Sequence, residues 1–172
     1  EILGDIVAAA LYAVNWRLAE NSVDYLASEQ AASPVQHYWS LAIQSQFYLL
    51  WPLLIGAAAV IATKLALQPR RTLTALLTVI FVGSLTYSIY RTWTNQPYAY
   101  FDTFARLWEF ALGGLLFIAL PHLRVRGLAR VIVGWVGLIA LLVCGLVFRA
   151  GDVFPGWAAL WPTLAAAMLI VT

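Results

Sequence analysis

Long apolar runs separated by short polar ones constrain this chain more than any single motif. Residues 72–90, 104–120 and 131–148 each approach the roughly 20 residues that a helix needs to cross a hydrocarbon layer. In lipid every backbone polar group must find its partner within the structure, which leaves helices and closed barrels. Continuous apolar runs of this length read as helices, not as alternating strands. Composition agrees: 63% of residues are hydrophobic and 10% charged, against about 25% charged in soluble domains. A soluble core this apolar would leave large bare patches. The solvent is therefore lipid, and the fold class is all-α, a polytopic transmembrane helix bundle.

Ile2 to Trp16 reads as an apolar helix at the end of a span, and Glu20 to Ser33 as a polar loop. Ser33 then caps a helix, with Pro34 in its first position and Gln36 completing a Ser-x-x-Gln capping box. Extended to Leu67 this helix is about 50 Å long at 1.5 Å per residue, more than the hydrocarbon layer needs. Its first turns must stand in the interface, or it must tilt, or bend at Pro52. Thr72–Tyr90 spans next, then a loop over Arg91–Asp102, a span over Phe104–Leu120 and a basic loop over Pro121–Arg130. Val131–Phe148 spans again, Arg149–Pro155 turns, and Trp157 opens a last span. This makes about six spans or part-spans. Residues 1–172 are expected to form a single domain truncated at both ends, an internal fragment of a larger membrane protein.

The loops set the orientation. Lys64–Arg71 and Arg124–Arg130 hold six of the ten basic residues and no acidic ones, so they should face the cytoplasm. Glu20, Asp24, Glu29, Asp102 and Asp152 lie on the opposite side with most interfacial aromatics. The net charge of +2 is small and by itself uninformative, but the basic residues sit in short clusters between apolar runs, which is membrane topology and not a patch for nucleic acid, so no nucleic-acid partner is expected. Arg124, Arg126 and Arg130 fit plain positive-inside topology, with a nucleotide phosphate or an anionic lipid as the alternative. His122 should be solvated, and Cys144 should be a packing residue. Trp39, Trp51, Trp93, Trp108, Trp157 and Trp161 lie near span ends, where an aromatic belt is the default. There is no metal-ligand spacing, Gly-rich phosphate loop or serine nucleophile elbow, so no metal site is expected.

Two constellations carry possible chemistry. His37, Ser40, Gln44 and Tyr48 fall at i, i+3, i+7 and i+11, one face of one helix, flanked by Gln36 and Gln46. They read either as a polar track from the outer surface into the bundle, with His37 as the acid–base group, or as a polar face meeting headgroups and water. Asp102, Arg106, Glu109 and Gly113 form a second stripe at i, i+4, i+7 and i+11, in which Arg106 can pair with either carboxylate. They read either as a catalytic or substrate carboxylate oriented by Arg106, or as an ion pair locking two helices. Gly113 and Gly114 suit close helix packing.

Two stretches, with two shorter ones upstream, resemble one family. The run His37-Tyr-Trp-Ser-Leu-Ala-Ile-Gln-Ser-Gln-Phe-Tyr-Leu-Leu-Trp-Pro52 is similar to the signature of the acyltransferase 3 family of integral membrane O-acyltransferases. That signature reads close to His-Phe-Trp-Ser-Leu-Ser-Val-Glu-Glu-Gln-Phe-Tyr-Leu-x-Trp-Pro. Phe101-Asp-Thr-Phe-Ala-Arg-Leu-Trp-Glu-Phe-Ala-Leu-Gly113 resembles the family's Thr-x-x-Arg-x-Trp-Glu-x-x-x-Gly segment, and Asn15-Trp16 and Ser33-Pro34 also look like it. The resemblance covers nearly the whole chain, as the middle of a roughly ten-span domain.

It implies transfer of an acyl group, commonly acetyl, from acyl-CoA (acetyl-CoA) to a hydroxyl of a carbohydrate. The acceptor would be a surface polysaccharide, lipopolysaccharide, peptidoglycan or an exported glycoside. The setting would be the bacterial cytoplasmic membrane, with membrane lipid as the surrounding partner. His37, Glu109 and Arg106 become candidate catalytic residues. Trp39, Ser40, Gln44, Gln46, Tyr48, Asp102 and Trp108 become candidate substrate-binding residues. The family's paired glutamates fall on Gln44 and Ser45, so a carboxylate role at those positions is lost. Its proposed catalytic histidine lies in an earlier span, so residues 1–172 alone are expected to show no transfer. Two other readings stand beside this one: a transporter or flippase-like protein whose path His37, Arg106 and Glu109 line, and a non-catalytic anchor or sensor that retains the fold.

Overall fold

The apolar runs are helices throughout the residues described by the computed structural model, 2–25, 35–123, 125–147 and 154–172. The order is α1 (Ile2–Ala10), α2 (Val14–Tyr25), α3 (Trp39–Lys64), α4 (Pro69–Thr94), α5 (Gln96–Phe101), α6 (Leu107–Ala119), α7 (Leu128–Val147) and α8 (Leu160–Val171). Short 3₁₀ turns at Gln36–Tyr38 and Trp157–Ala159 lead into α3 and α8, and one at Leu120–His122 follows α6. Three stretches, Gln36–Lys64, Pro69–Thr94 and Leu128–Val147, are long and apolar enough to cross a membrane; Leu107–His122 and Trp157–Val171 are shorter apolar helices. The chain is a multi-pass helical membrane bundle.

α4 packs against α3, α5 and α6, α2 packs against α3 and α5, and α7 and α8 pack on each other. At one end, Gln96 Nε2 donates to the Phe154 carbonyl at 2.8 Å and the Gly156 N–H to Thr92 Oγ1 at 3.0 Å. These bonds gather the end of α4, α5 and the approach to α8. At the other end Arg70 reaches from the start of α4 to the Ile118 carbonyl of α6 at 2.7 Å. The aromatic segment and the basic segments thus lie at opposite ends, as the charge pattern requires.

Four boundaries differ from expectation, each for a local reason. The helix expected over Ile2–Trp16 breaks at Leu11–Ala13. Tyr12 adopts a left-handed φ of 54°. The Ala13 N–H bonds to the Ala8 carbonyl at 2.8 Å and the Tyr12 N–H to the Ala9 carbonyl at 3.1 Å, the paired bonds of a Schellman stop. The same stop ends α3 before Leu67, with Ala66 at φ 50° and Leu67 bonded to Ala62. The expected loop Arg91–Asp102 is mostly helical, because Asn95 accepts from the Tyr98 N–H at 3.2 Å and Pro97 stands in the first turn of α5. The next span starts at Leu107, not Phe104, because Asp102 is extended and its carboxylate accepts from the Phe104 N–H at 2.9 Å in an Asx turn. Helix α3 remains helical through Pro52. The start signal at Ser33–Pro34, with Glu29, Arg124 and Asp152, lies outside the described residues.

The Gly113–Gly114 pair divides its roles. A Cβ on Gly114 would meet Leu77 Cδ1 at 3.1 Å and Trp51 Cζ2 at 3.2 Å, whereas one on Gly113 meets nothing within 4 Å. Gly114 therefore sets the approach of α6 to α3 and α4. Gly114→Ala is expected to destabilise by about 1–2 kcal/mol through overpacking. Gly113→Ala should be neutral or stabilising by up to about 1 kcal/mol, because Ala is the better helix former. Unfolding of the two variants in mixed micelles tests this; equal midpoints would contradict the close contact at Gly114.

Candidate functional site

Three polar side chains from separate segments close a ring. Asn15 is the second residue of α2, Gln46 lies two turns into α3, and Thr103 sits in the turn between α5 and α6. Asn15 Nδ2 donates to Thr103 Oγ1 at 2.9 Å, Thr103 Oγ1 donates to Gln46 Oε1 at 2.7 Å, and Gln46 Nε2 donates to Asn15 Oδ1 at 2.8 Å. The remaining amide hydrogens are used as well: Gln46 donates to the Tyr12 carbonyl at 2.8 Å and Asn15 to the Phe101 carbonyl at 3.2 Å. The break between α1 and α2 exposes the Tyr12 carbonyl that Gln46 takes. A buried polar network is stabilising when every member is satisfied, and here both amide NH₂ groups are.

Beside the ring lies a caged guanidinium. Arg106 is 8% exposed. Its Nη1 donates to Glu109 Oε1 at 3.2 Å and its Nη2 to the Tyr100 carbonyl at 3.3 Å. The guanidinium carbon lies 5.1 Å from the Trp39 ring centroid, 5.3 Å from Tyr100 and 5.7 Å from Phe154. Trp39 in turn packs on Tyr100 and Phe101 at centroid distances of 4.9 and 5.8 Å. Aromatic faces carry negative quadrupole and stabilise a desolvated cation. The Arg106 Nε is buried without a hydrogen-bond partner among the described residues. Glu109 keeps a quarter of its side chain exposed, so the ion pair is reachable from the carboxylate side.

A second buried set fixes the turn that carries Arg106. Tyr87 Oη donates to Asp102 Oδ2 at 2.8 Å. Ser84 Oγ donates to the Phe104 carbonyl at 2.6 Å and accepts from the Trp108 N–H at 2.9 Å. Helix α4 thus satisfies a first-turn N–H of α6, one of the donors a helix start leaves open.

The expected site residues separate into three groups. Arg106 and Glu109 pair as expected, and Gln46 bonds to Thr103, whose carbonyl accepts from the Arg106 N–H at 3.0 Å. Asp102 does not share their helical stripe and does not pair with Arg106, because it caps α5 in extended backbone and is held by Tyr87 and Phe104. Asp102 and Trp108 are both fully buried, so they shape the site from behind and present no surface to a ligand. Trp108, being fully buried, does not belong to an interfacial belt. His37 sits in the 3₁₀ turn ahead of α3, and with Ser40, Gln44 and Tyr48 it forms an exposed face. That face points away from the ring, since Gln46 lies about 200° round the helix from Gln44. The expected track into the bundle is therefore an outward polar stripe. Asn15, Tyr87, Ser84, Tyr100 and Phe154 were not expected in a site. Asn15 and Thr103 were visible as family-like positions without a role, and Ser84 with Tyr87 as polar groups inside an apolar run.

Three of the family-like stretches meet here: Asn15 from Asn15-Trp16, Trp39 and Gln46 from His37–Pro52, and Thr103, Arg106 and Glu109 from Phe101–Gly113. Relatives match most of the chain. The chain is 33% identical over 156 residues to O-acetyltransferase OatA of Staphylococcus aureus, covering 86% of this chain and 24% of that protein. It is 29% identical over 153 residues to the membrane-bound transacylase BcsY of Komagataeibacter xylinus, covering 89% of this chain and 37% of the relative. These relatives support the resemblance to the acyltransferase 3 family. The peptidoglycan O-acetyltransferase OatA of Listeria monocytogenes is 28% identical over 152 residues, again with 86% of this chain and 24% of the relative covered. The chain spans between about a quarter and two fifths of the length of these relatives. No protein-family profile matches it, and no solved structure does. Among the described residues, no group of three or more His, Cys, Asp or Glu side chains lies together as a metal site would need.

Proposed function

We propose that this chain is part of a bacterial cytoplasmic-membrane O-acyltransferase that moves an acetyl group from acetyl-CoA to a hydroxyl of a cell-surface carbohydrate such as peptidoglycan. The observation that carries this reading is the Arg106–Glu109 pair in its aromatic cage, at the end of the bundle opposite the basic segments. The acceptor hydroxyl attacks the acyl carbonyl, an oxygen–carbon bond forms, and the carbon–sulfur bond of the thioester breaks. Glu109 takes the hydroxyl proton as general base. The Arg106 cation stabilises the negative charge that develops on the carbonyl oxygen. The coenzyme leaves as a thiol once that proton is returned to sulfur. Trp39 and Tyr100 offer ring faces to the sugar, and the outward residues His37, Ser40, Gln44 and Tyr48 offer hydrogen bonds along the acceptor's approach, with His37 as a second proton carrier. Gln46, Asp102 and Trp108 hold these groups in place.

A second reading, translocation of the acceptor without chemistry, is favoured by the discontinuous α1–α2 helix, a feature that transporters place at their binding sites. Acetyl transfer by the whole protein, measured beside Glu109→Gln and His37→Ala, separates the two. Transfer that both variants retain in full, with unchanged folding, sinks the site assignment.

A further inference from the structure

Helices α3, α4 and α6 leave an apolar cleft of about 460 Å³ at their basic end, walled by Ile55, Ala59, Leu73, Phe117, Ile118 and Pro121. Among the described residues its only charged lining group is Arg70, which also touches the Ile118 carbonyl at 2.7 Å and His122 Nδ1 at 3.2 Å. These contacts hold the guanidinium at the mouth. Arg71 stands next to it, and Lys64 ends α3 across a link of four residues, 65–68. All three cations are exposed. No Asp or Glu occurs in residues 30–101 or 110–151, so nothing acidic on α3, α4 or α7 offsets them. Phe117, on the cleft wall, is 78% exposed, so the opening faces the lipid side.

The geometry points to a structural binding site for an anionic phospholipid. The phosphate meets Arg70, Arg71 and Lys64, and one acyl chain enters the cleft between α3 and α6. A cation cluster at a lipid-facing cleft selects a charged headgroup, and basic pockets between spans on the inner side bind such lipids. The apolar walls exclude a soluble phosphate as a complete match, because they leave unused surface that only a chain covers. The site lies at the far end of the bundle from Arg106 and Glu109, so it stands or falls apart from the acyl-transfer reading.

The test is native mass spectrometry of the full chain released from nanodiscs containing equal phosphatidylglycerol and phosphatidylcholine. Phosphatidylglycerol is expected to be retained about tenfold over phosphatidylcholine. Arg70→Gln with Arg71→Gln should lower that preference to within about twofold. Arg71→Gln alone, which keeps the Arg70–Ile118 contact, should lower it about threefold. Ala59→Phe, which fills the exposed cleft wall without altering charge, should reduce retention of both lipids. Equal retention of the two lipids by the unaltered chain would overturn the proposal. So would a preference that survives the double Arg variant, or displacement of the bound lipid by free coenzyme A, which would assign the cations to the donor's phosphates.

Discussion

Replacing Glu109 by Gln in the whole protein is expected to lower acyl transfer by about 10²-fold or more, with helical content and yield unchanged. The Gln amide keeps an oxygen where Arg106 Nη1 now finds Glu109 Oε1 at 3.2 Å, so the cage has a partner and the fold has little reason to change. What is lost is the negative charge and the capacity to take a proton. Glu109→Ala is a poorer probe. It strands a nearly buried guanidinium, and breaking a buried pair from one side costs about 3–5 kcal/mol, less here because the Glu109 side chain is 25% exposed. Arg106→Lys is not conservative either. An ammonium cannot span Glu109 and the Tyr100 carbonyl at once, nor stack on Trp39 as a planar guanidinium does. Initial rates with a saturating acyl donor check the prediction. Wild-type turnover in Glu109→Gln would show that the carboxylate is a structural ion pair and no base.

A large stability effect is also expected at Gln46. Gln46→Leu keeps the volume but strands the Tyr12 carbonyl, Asn15 Oδ1 and the Thr103 hydroxyl, all of which now bond to it within 2.8 Å. Single hydrogen bonds within membrane proteins average about 0.6 kcal/mol and reach about 1.7, so losing three together should cost about 2–3 kcal/mol. Because the three side chains form one ring, the losses should not add. Asn15→Leu combined with Gln46→Leu should cost less than the sum of the singles by about 1 kcal/mol. Reversible unfolding in mixed micelles measures the cycle. Additivity within about 0.5 kcal/mol would mean that the ring is not a cooperative unit. Ser40→Ala and Gln44→Ala, on the exposed face of the same helix, should stay within about 0.5 kcal/mol of wild type.

The architecture was legible where length and hydropathy decide it. The span over Thr72–Tyr90 became α4 with a few residues added at both ends, and that over Val131–Phe148 became α7, which starts three residues earlier and is described to Val147, because nothing in those runs competes with the helix. It was illegible where one residue's local chemistry decides. Tyr12 and Ala66 adopt the left-handed conformation that usually signals Gly, so neither stop has a sequence marker. Asp102 fits a helical stripe by spacing, yet its own carboxylate turns the chain and takes it out of the helix.

The site was legible in part for the same reason. Arg106 and Glu109 are three apart on one helical turn, and spacing alone pairs them. The Asn15–Gln46–Thr103 ring joins residues 31, 57 and 88 positions apart, which no local period reveals. The outer stripe of α3 was read correctly as one face, but spacing carries no information about which way a face points. The resemblance to a family had already marked Asn15, Gln46 and Thr103, and the fold supplies what that marking lacked, a shared contact.

The most direct measurement is acetyl transfer by the whole protein in proteoliposomes, with acetyl-labelled acetyl-CoA supplied on the side of the basic loops and a carbohydrate acceptor on the other. Label found on the acceptor as an alkali-labile ester, and lost in Glu109→Gln, is the expected result. An acceptor that crosses the bilayer unmodified, or stays unlabelled while the protein is folded and lipid-embedded, would contradict acyl transfer.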